Sequence, residues 1–203
     1  MPRFASLVTV LALLACAAGA ALVAYGRWTR PIAAAGAALE AGDLQGALTP
    51  YAESARRFRA LPLSQRLLDR DFSLVAHNQL AALYELRRWD DVIERAVDAP
   101  PASGPHFWAG CALFRKGAEQ KTREAQLEWV TRAQDEFKLA LVAAPNDWDA
   151  KYNFELTSRL AAALRPSADT KGTQQKNAPS TLIQLLRPEL QQQHQERAVK
   201  KVG

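Results

Sequence analysis

The longest uncharged stretch of the chain lies near its N-terminus, from Phe4 to Gly26. As an α-helix, this stretch would span roughly 34 Å, which is enough to cross a bilayer core of about 30 Å. Because lipid offers no partners to backbone N–H and C=O groups, a spanning segment must be helical or part of a closed barrel. Arg3 precedes the stretch, and Trp28 follows it between two arginines, as is typical of a membrane surface. We therefore predict an uncleaved transmembrane anchor with its flank over residues 1–30.

Two other interpretations of this stretch stay open. Leu13-Leu14-Ala15-Cys16 resembles a lipobox, in which the cysteine is lipidated and becomes the N-terminus. The residues after Cys16 remain apolar for ten positions, whereas a lipoprotein usually turns polar there. A cleaved secretory signal is the other alternative, although the apolar run is long for one.

Charge is distributed unevenly along the chain, whose net charge is +5. Residues 1–30 carry three arginines and no acid, and residues 165–203 carry seven basic side chains against three acidic ones. The body between them is therefore slightly acidic, so the high pI does not indicate a nucleic-acid surface. By the positive-inside rule, the basic groups at the two ends of the apolar stretch nearly balance, and they slightly favour a cytoplasmic body. A short N-terminal tail is typical of a signal anchor that exports the bulk of the chain, and we expect a periplasmic body.

A second pattern constrains the body. Ala133, Phe137, Ala140 and Pro145 follow the spacing of the second helix of a tetratricopeptide repeat. Small alanines allow a neighbouring helix to approach, the aromatic ring fills the groove, and the proline ends the helix. Part of the pattern occurs earlier in the chain, where Ala47 and Tyr51 have the same four-residue spacing as Ala133 and Phe137.

Helix-forming residues dominate the rest of the chain, and strand formers are sparse. We predict an all-α protein in which the anchor is followed by a tetratricopeptide-like helical-repeat domain over residues 31–165. Helical periodicity and breakers place the helices of this domain at 32–41, 44–59, from Ser64 to about Leu86, from Trp89 to before Pro100, 106–116, 128–144 and from about Asn146 to about Leu164. Residues 115–126 are predicted as an enlarged, solvated turn.

The C-terminal segment differs in composition from the body. Residues 166–179 are polar and poor in apolar side chains, which indicates a flexible linker. Residues 180–190 regain some amphipathic character before a glutamine-rich, basic end. We predict a flexible tail over 166–203, with a short helix at 180–190 that either docks on a partner or frays.

Catalytic and metal-binding patterns are missing from the sequence. His77, His106 and His194 are far apart, and the chain has no CxxC, HExxH, GxGxxG, phosphate-binding loop or GxSxG. Cys16 and Cys111 are predicted to lie in lipid and in the folded body, so a disulfide between them is not expected. We expect a protein that is not an enzyme and that takes no cofactor, metal or small-molecule substrate.

Five tryptophans offer candidate contact residues. We predict that Trp89, Trp108, Trp129 and Trp148 pack between helices, as tryptophan does in helical repeats. The functional alternative is that Trp129 or Trp148 is an exposed anchor for a protein partner.

The segment from Ala144 to Leu160, APNDWDAKYNFELTSRL, carries the most specific resemblance. It resembles small membrane-anchored helical-repeat proteins encoded beside MoxR-type AAA ATPases and von Willebrand A-domain proteins in bacteria. The overall plan, with one anchor, a helical body and this motif near its end, is similar to the MxaK-type accessory proteins of methanol-oxidation clusters.

This resemblance implies a non-catalytic accessory role at the bacterial inner membrane. The protein would help an ATPase and von Willebrand A-domain complex mature a periplasmic enzyme, in that family a calcium-requiring methanol dehydrogenase. The alternative is a cell-envelope lipoprotein or structural protein of envelope assembly. The residues that match the motif, or that we select as candidate partner contacts, are Trp129, Asp147, Trp148, Asp149, Tyr152, Asn153 and Glu155.

Overall fold

The structure is a computed structural model that describes residues 2–166. This part of the chain contains eight helices and no strand, which confirms the all-α prediction. The helices are α1 (Pro2–Glu40), α2 (Leu44–Ala60), α3 (Pro62–Leu67), α4 (Asp69–Glu85), α5 (Trp89–Val97), α6 (Ser103–Ala118), α7 (Arg123–Ala143) and α8 (Trp148–Leu164). The chain divides into two units, of which the first ends at Leu86 and the second begins at Arg87. The predicted tail, apart from its first residue, and the helix at 180–190 lie outside the described residues.

Helix α1 is long and apolar enough to cross a membrane by length and composition, and its most apolar stretch is fully exposed. The separate helix predicted for 32–41 is wrong, because α1 continues through Pro31 to Glu40. Proline lacks an N–H and crowds the carbonyl four residues earlier, which costs about 3 kcal/mol. Ile32 and Ala35, just beyond it, are buried in the core of the first unit, and this packing offsets the cost. The predicted boundary after residue 30 thus falls inside one helix.

Helix α2 runs back along α1. Gly42, at φ +80°, makes the turn between them, and the Asp43 carboxylate accepts a hydrogen bond from the Gly46 N–H at 2.8 Å. At the far end of α2, Phe58 packs edge-to-face on Trp28 of α1, with ring centroids 5.3 Å apart. The predicted helix over 44–59 is confirmed.

The chain between Pro62 and Glu85 forms two helices where the sequence predicted one. Leu68 ends α3 and precedes α4, with φ −124° and ψ 41°. Ser64 does not cap the start of a helix. It lies inside α3, where its hydroxyl donates to the Leu61 carbonyl at 2.7 Å. Residues of α4 then fill the core against α2, where Phe72 stacks on Phe58 at 5.0 Å.

The second unit is built from α5 to α8. The predicted bounds of α5 and the predicted end of α8 agree with the structure, while α8 begins at Trp148, two residues later than predicted. In contrast, α6 and α7 are longer than predicted and leave only residues 119–122 between them. The enlarged turn over 115–126 is therefore wrong. Thr122 caps α7 by accepting from the Ala125 N–H at 3.2 Å, and Gln126 is buried, so the polar residues after 122 form a helix end.

The core of the second unit contains the small–aromatic–small pattern. Ala133, Phe137 and Ala140 are all buried, as the spacing predicted, and α7 ends at Ala143 just before Pro145. Phe137 and Ala133 form a cluster with Leu113 of α6, and the half-buried Phe154 of α8 packs against this cluster. The same four-residue step in the first unit, Ala47 to Tyr51, is also fully buried.

Candidate partner-binding surface

The start of α8 is fixed by its cap. Asp147 precedes the helix, and its carboxylate accepts a hydrogen bond from the Ala150 N–H at 3.0 Å. Asp149 adds a second negative charge in the first turn, where the helix dipole favours it. Trp148 is consequently the first helical residue, held between a capping side chain and a regular helix.

Trp148 projects into solvent, with 78% of its surface exposed. The buried face of α8 includes Ala150, which lies two residues and about 200° further around the helix. Trp148 therefore lies on the side of α8 opposite its buried face, and the prediction that it packs between helices is wrong. In contrast, Trp89, Trp108 and Trp129 are half-buried.

Two neighbours on α8 extend this surface. The Lys151 ammonium lies 4.7 Å from the centre of the Trp148 ring, a cation–π contact worth about 0.5–1 kcal/mol at an exposed site. Tyr152, four residues after Trp148, lies on the same side of the helix and is 39% exposed. The start of α8 therefore presents two amphipathic aromatic side chains, with a positive charge over the Trp148 ring.

The remaining motif residues are occupied within the helix. The Asn153 amide donates to the Asp149 carbonyl at 2.9 Å. Glu155 forms an exposed ion pair with Arg159 at 3.7 Å, a type of contact that contributes little to stability. The described polar contacts of these two motif residues are therefore within α8.

Trp129 lies elsewhere in the second unit. Its Cβ would be 3.1 Å from a Cβ on Gly117, so it marks a close approach of α6 and α7. The Arg132 guanidinium and the Lys116 ammonium lie over its ring, at 4.7 and 5.1 Å from the centre. The described contacts of Trp129 are therefore with α6 and α7, and they do not join it to Trp148.

Reactive groups in the described residues are few. Burial raises the pKa of the Cys111 thiol to about 12, so the nucleophilic thiolate is disfavoured. His106 is hydrogen-bonded to Glu136 at 2.8 Å between α6 and α7. Within residues 7–166, no group of three His, Cys, Asp or Glu side chains is placed to hold a metal ion.

Two residues that organise this unit were missed by the sequence interpretation. Gly110 lies against the ring of Phe137, and its place in the run of small residues 109–112 was an available signal. Arg123 donates to three carbonyls at the end of α8. No local signal marks it, because its acceptors are about forty residues away in sequence.

No protein-family model, curated protein or solved structure matches this chain.

Proposed function

We propose that the protein is a membrane-tethered, tetratricopeptide-like adaptor that binds a protein partner through the start of α8. The observation that carries this proposal is the exposure of Trp148 on a firmly capped helix. Tryptophan and tyrosine supply most of the binding energy in many protein interfaces, because they bury a large area at little conformational cost. Because most of its side chain is exposed, Trp148 contributes little to the packing of α8 within the protein.

Helix α1 supplies the tether in this proposal. It anchors the chain once in the bacterial inner membrane, with the body in the periplasm. The partner is a membrane complex of a MoxR-type ATPase and von Willebrand A-domain subunits, and the adaptor assists in maturing a periplasmic enzyme, for which methanol dehydrogenase is the candidate. The role is non-catalytic. The partner class comes from the resemblance of residues 144–160, and the surface comes from Trp148 and Tyr152.

Affinity purification from membranes of the native host tests this proposal. The tagged full-length protein should recover the ATPase or von Willebrand A-domain subunits. Trp148→Ala should lower that recovery about tenfold, the loss expected when an interface anchor is removed. Val97→Ala is the matched control, because Val97 is an equally exposed apolar side chain of the same unit. Equal recovery with Trp148→Ala and wild type would exclude this surface as the contact.

The lipoprotein alternative has its own measurement. Metabolic labelling with a fatty acid should leave the protein unlabelled if α1 is an uncleaved anchor. Label that is present in wild type and lost in Cys16→Ser would establish lipidation at Cys16 and replace the transmembrane tether with a lipid one.

A further inference from the structure

Helix α3 and the residue before it expose three leucines to solvent. The exposed fractions are 52% for Leu61, 67% for Leu63 and 72% for Leu67, and no residue of α3 is buried. Leu63 and Leu67 are four residues apart and so lie on one face of the helix. Three large apolar side chains within seven residues form a concentrated patch, which is costly to leave in water.

The patch lies at the end of the first unit where α1 leaves its apolar stretch. Phe58, near the end of α2, packs on Trp28 of α1. The Gln65 side chain of α3 donates to the Phe58 carbonyl at 2.9 Å, and Leu68 packs into the same cluster as Trp28. Helix α3 is therefore held at the level of Trp28, two residues beyond the uncharged stretch.

The start of α4 lies at the same level. The Tyr25 hydroxyl reaches the Asp71 carboxylate at 3.5 Å, and Tyr25 is the penultimate residue of the uncharged stretch. If α1 spans a bilayer, the connection from α2 through α3 to α4 lies beside the membrane surface. The opposite end of this unit, at the turn after Glu40, is about 18 Å beyond Trp28 along α1.

Charge near the patch suits phospholipid headgroups. Residues 56–71 carry five arginines against two aspartates, and four of the arginines are exposed. Arginine binds phosphate through a planar fork of donors, and basic side chains beside a bilayer are attracted to anionic lipids. The exposed arginines are Arg56, Arg59, Arg66 and Arg70.

We propose that α3 is an interfacial membrane contact of the same bilayer that α1 crosses. Leu61, Leu63 and Leu67 enter the boundary between headgroups and acyl chains, and the neighbouring arginines bind anionic headgroups. This inference rests on the proposed anchoring by α1. It adds a second point of attachment, which fixes the orientation of the first unit on the membrane instead of leaving it to swing about a single helix.

Fluorescence quenching by spin-labelled lipid tests the contact in the full-length protein. A polarity-sensitive dye is attached to single cysteines at Leu63→Cys, at Gln45→Cys, or at the native Cys16, with the remaining native cysteines replaced by alanine. The protein is reconstituted into phosphatidylcholine vesicles containing phosphatidylglycerol and a phospholipid labelled near its headgroup. Gln45 is the control, because it is exposed at the membrane-distal turn of the same unit.

We expect quenching at position 63 to exceed that at position 45 about twofold or more, as for a side chain at the acyl boundary. Replacing Leu61 and Leu67 by asparagine, or Arg66 and Arg70 by glutamine, should reduce the quenching at position 63. The leucine variant also shows that the leucines, and not the dye, drive insertion. Omitting phosphatidylglycerol should have the same effect as the arginine variant.

Three outcomes would overturn the inference, and they are distinguishable. Equal quenching at positions 63 and 45, with Cys16 quenched by a lipid labelled deep in its acyl chain, removes the α3 contact and leaves the anchor intact. If the lipid labelled deep in its acyl chain does not quench the dye at Cys16, both the α3 contact and the anchoring by α1 are excluded. Blue-shifted but unquenched emission at position 63 means that a protein surface, such as a second copy of this chain, covers the leucines.

Discussion

The backbone of Gly110 lies directly against the ring of Phe137. A Cβ built on Gly110 would be 2.8 Å from Cε1 of the ring and 2.9 Å from both Cδ1 and Cζ. Carbon atoms that are not bonded prefer separations of about 3.5–4.0 Å. Since Phe137 is itself 1% exposed, the ring has no open space to move into. The separation of α6 and α7 is therefore set by the absence of a side chain at position 110.

Gly110→Ala is expected to destabilise the second unit by about 1–3 kcal/mol, the usual cost of overpacking a core. The cost exceeds the helix propensity gained by replacing glycine, which is at most about 1 kcal/mol. Chemical unfolding followed by far-UV circular dichroism measures the difference. Gly36→Ala is the control, because its Cβ would be an unstrained 3.8 Å from the Tyr51 hydroxyl. Equal stability of the two variants would mean that α6 and α7 are not packed this closely.

Arg123 is expected to hold the end of α8 in place. Its guanidinium donates to the carbonyls of Leu164 at 2.8 Å, Ala163 at 2.7 Å and Arg165 at 3.1 Å. Arg123→Ala should cost about 1–2 kcal/mol, since charge-assisted hydrogen bonds to a helix C-terminus are lost. Hydrogen exchange should accelerate most in the last turn of α8.

Arg159→Ala is the matched control for this prediction. Arg159 is an exposed arginine of α8 whose ion pair with Glu155 spans 3.7 Å, and its loss should change stability by less than about 0.5 kcal/mol. Arg123→Lys should fall between the two variants, because an ammonium cannot reproduce the fork of donors. Unchanged exchange in Arg123→Ala would show that α8 ends without its help.

Tyr51 is expected to contribute to the first unit through its hydroxyl as well as its ring. It is fully buried, and its oxygen accepts a hydrogen bond from the Asn78 amide at 2.9 Å. Tyr51→Phe keeps the ring and removes the acceptor, so we expect a loss of about 1–2 kcal/mol. In a double-mutant cycle of urea unfolding, Tyr51→Phe should cost much less once Asn78 is alanine. Additive losses would contradict a direct interaction between the two side chains.

Cys111 should make stability depend on alkaline pH. Burial raises the pKa of its thiol from 9.0 to about 12 in the folded protein. The folded state thus binds this proton more tightly than the unfolded state. The contribution is fully present below the unfolded pKa and is lost as pH rises towards the folded one. We expect the unfolding free energy to fall by about 1 kcal/mol from pH 9 to pH 10 through this group.

Cys111→Ala isolates that contribution, because buried Tyr51, whose pKa burial also raises, titrates in both proteins. Urea unfolding at the two pH values should give a smaller decrease in the variant. Iodoacetamide should also modify Cys111 slowly in the folded protein and rapidly after unfolding. An identical pH dependence in the two proteins would contradict the thiol's role.

The candidate surface was only partly predictable from the sequence. The motif at 144–160 directed attention to Trp148, Tyr152 and the acidic residues around them. It did not separate the exposed tryptophan from the half-buried Trp129, because that depends on which side of each helix meets its neighbour. Asn153 was selected as a contact, and the structure shows its amide bonded to its own helix.

The sequence by itself determined the helical class, the bounds of α2 and α5, the end of α8, the apolar stretch of α1 and the burial of Ala133, Phe137 and Ala140. These features follow from residue spacing, caps and breakers, which act within a few positions of the chain. Only the tertiary structure decided that α1 continues through Pro31 and that α3 is a separate helix, with exposed leucines, near the level of Trp28. It also decided that Gly110 and Arg123 fix the packing of α6 to α8. Each of these depends on contacts between different helices, such as Gly110 with Phe137 or Arg123 with Leu164. The spacing of residues within one helix does not indicate such contacts.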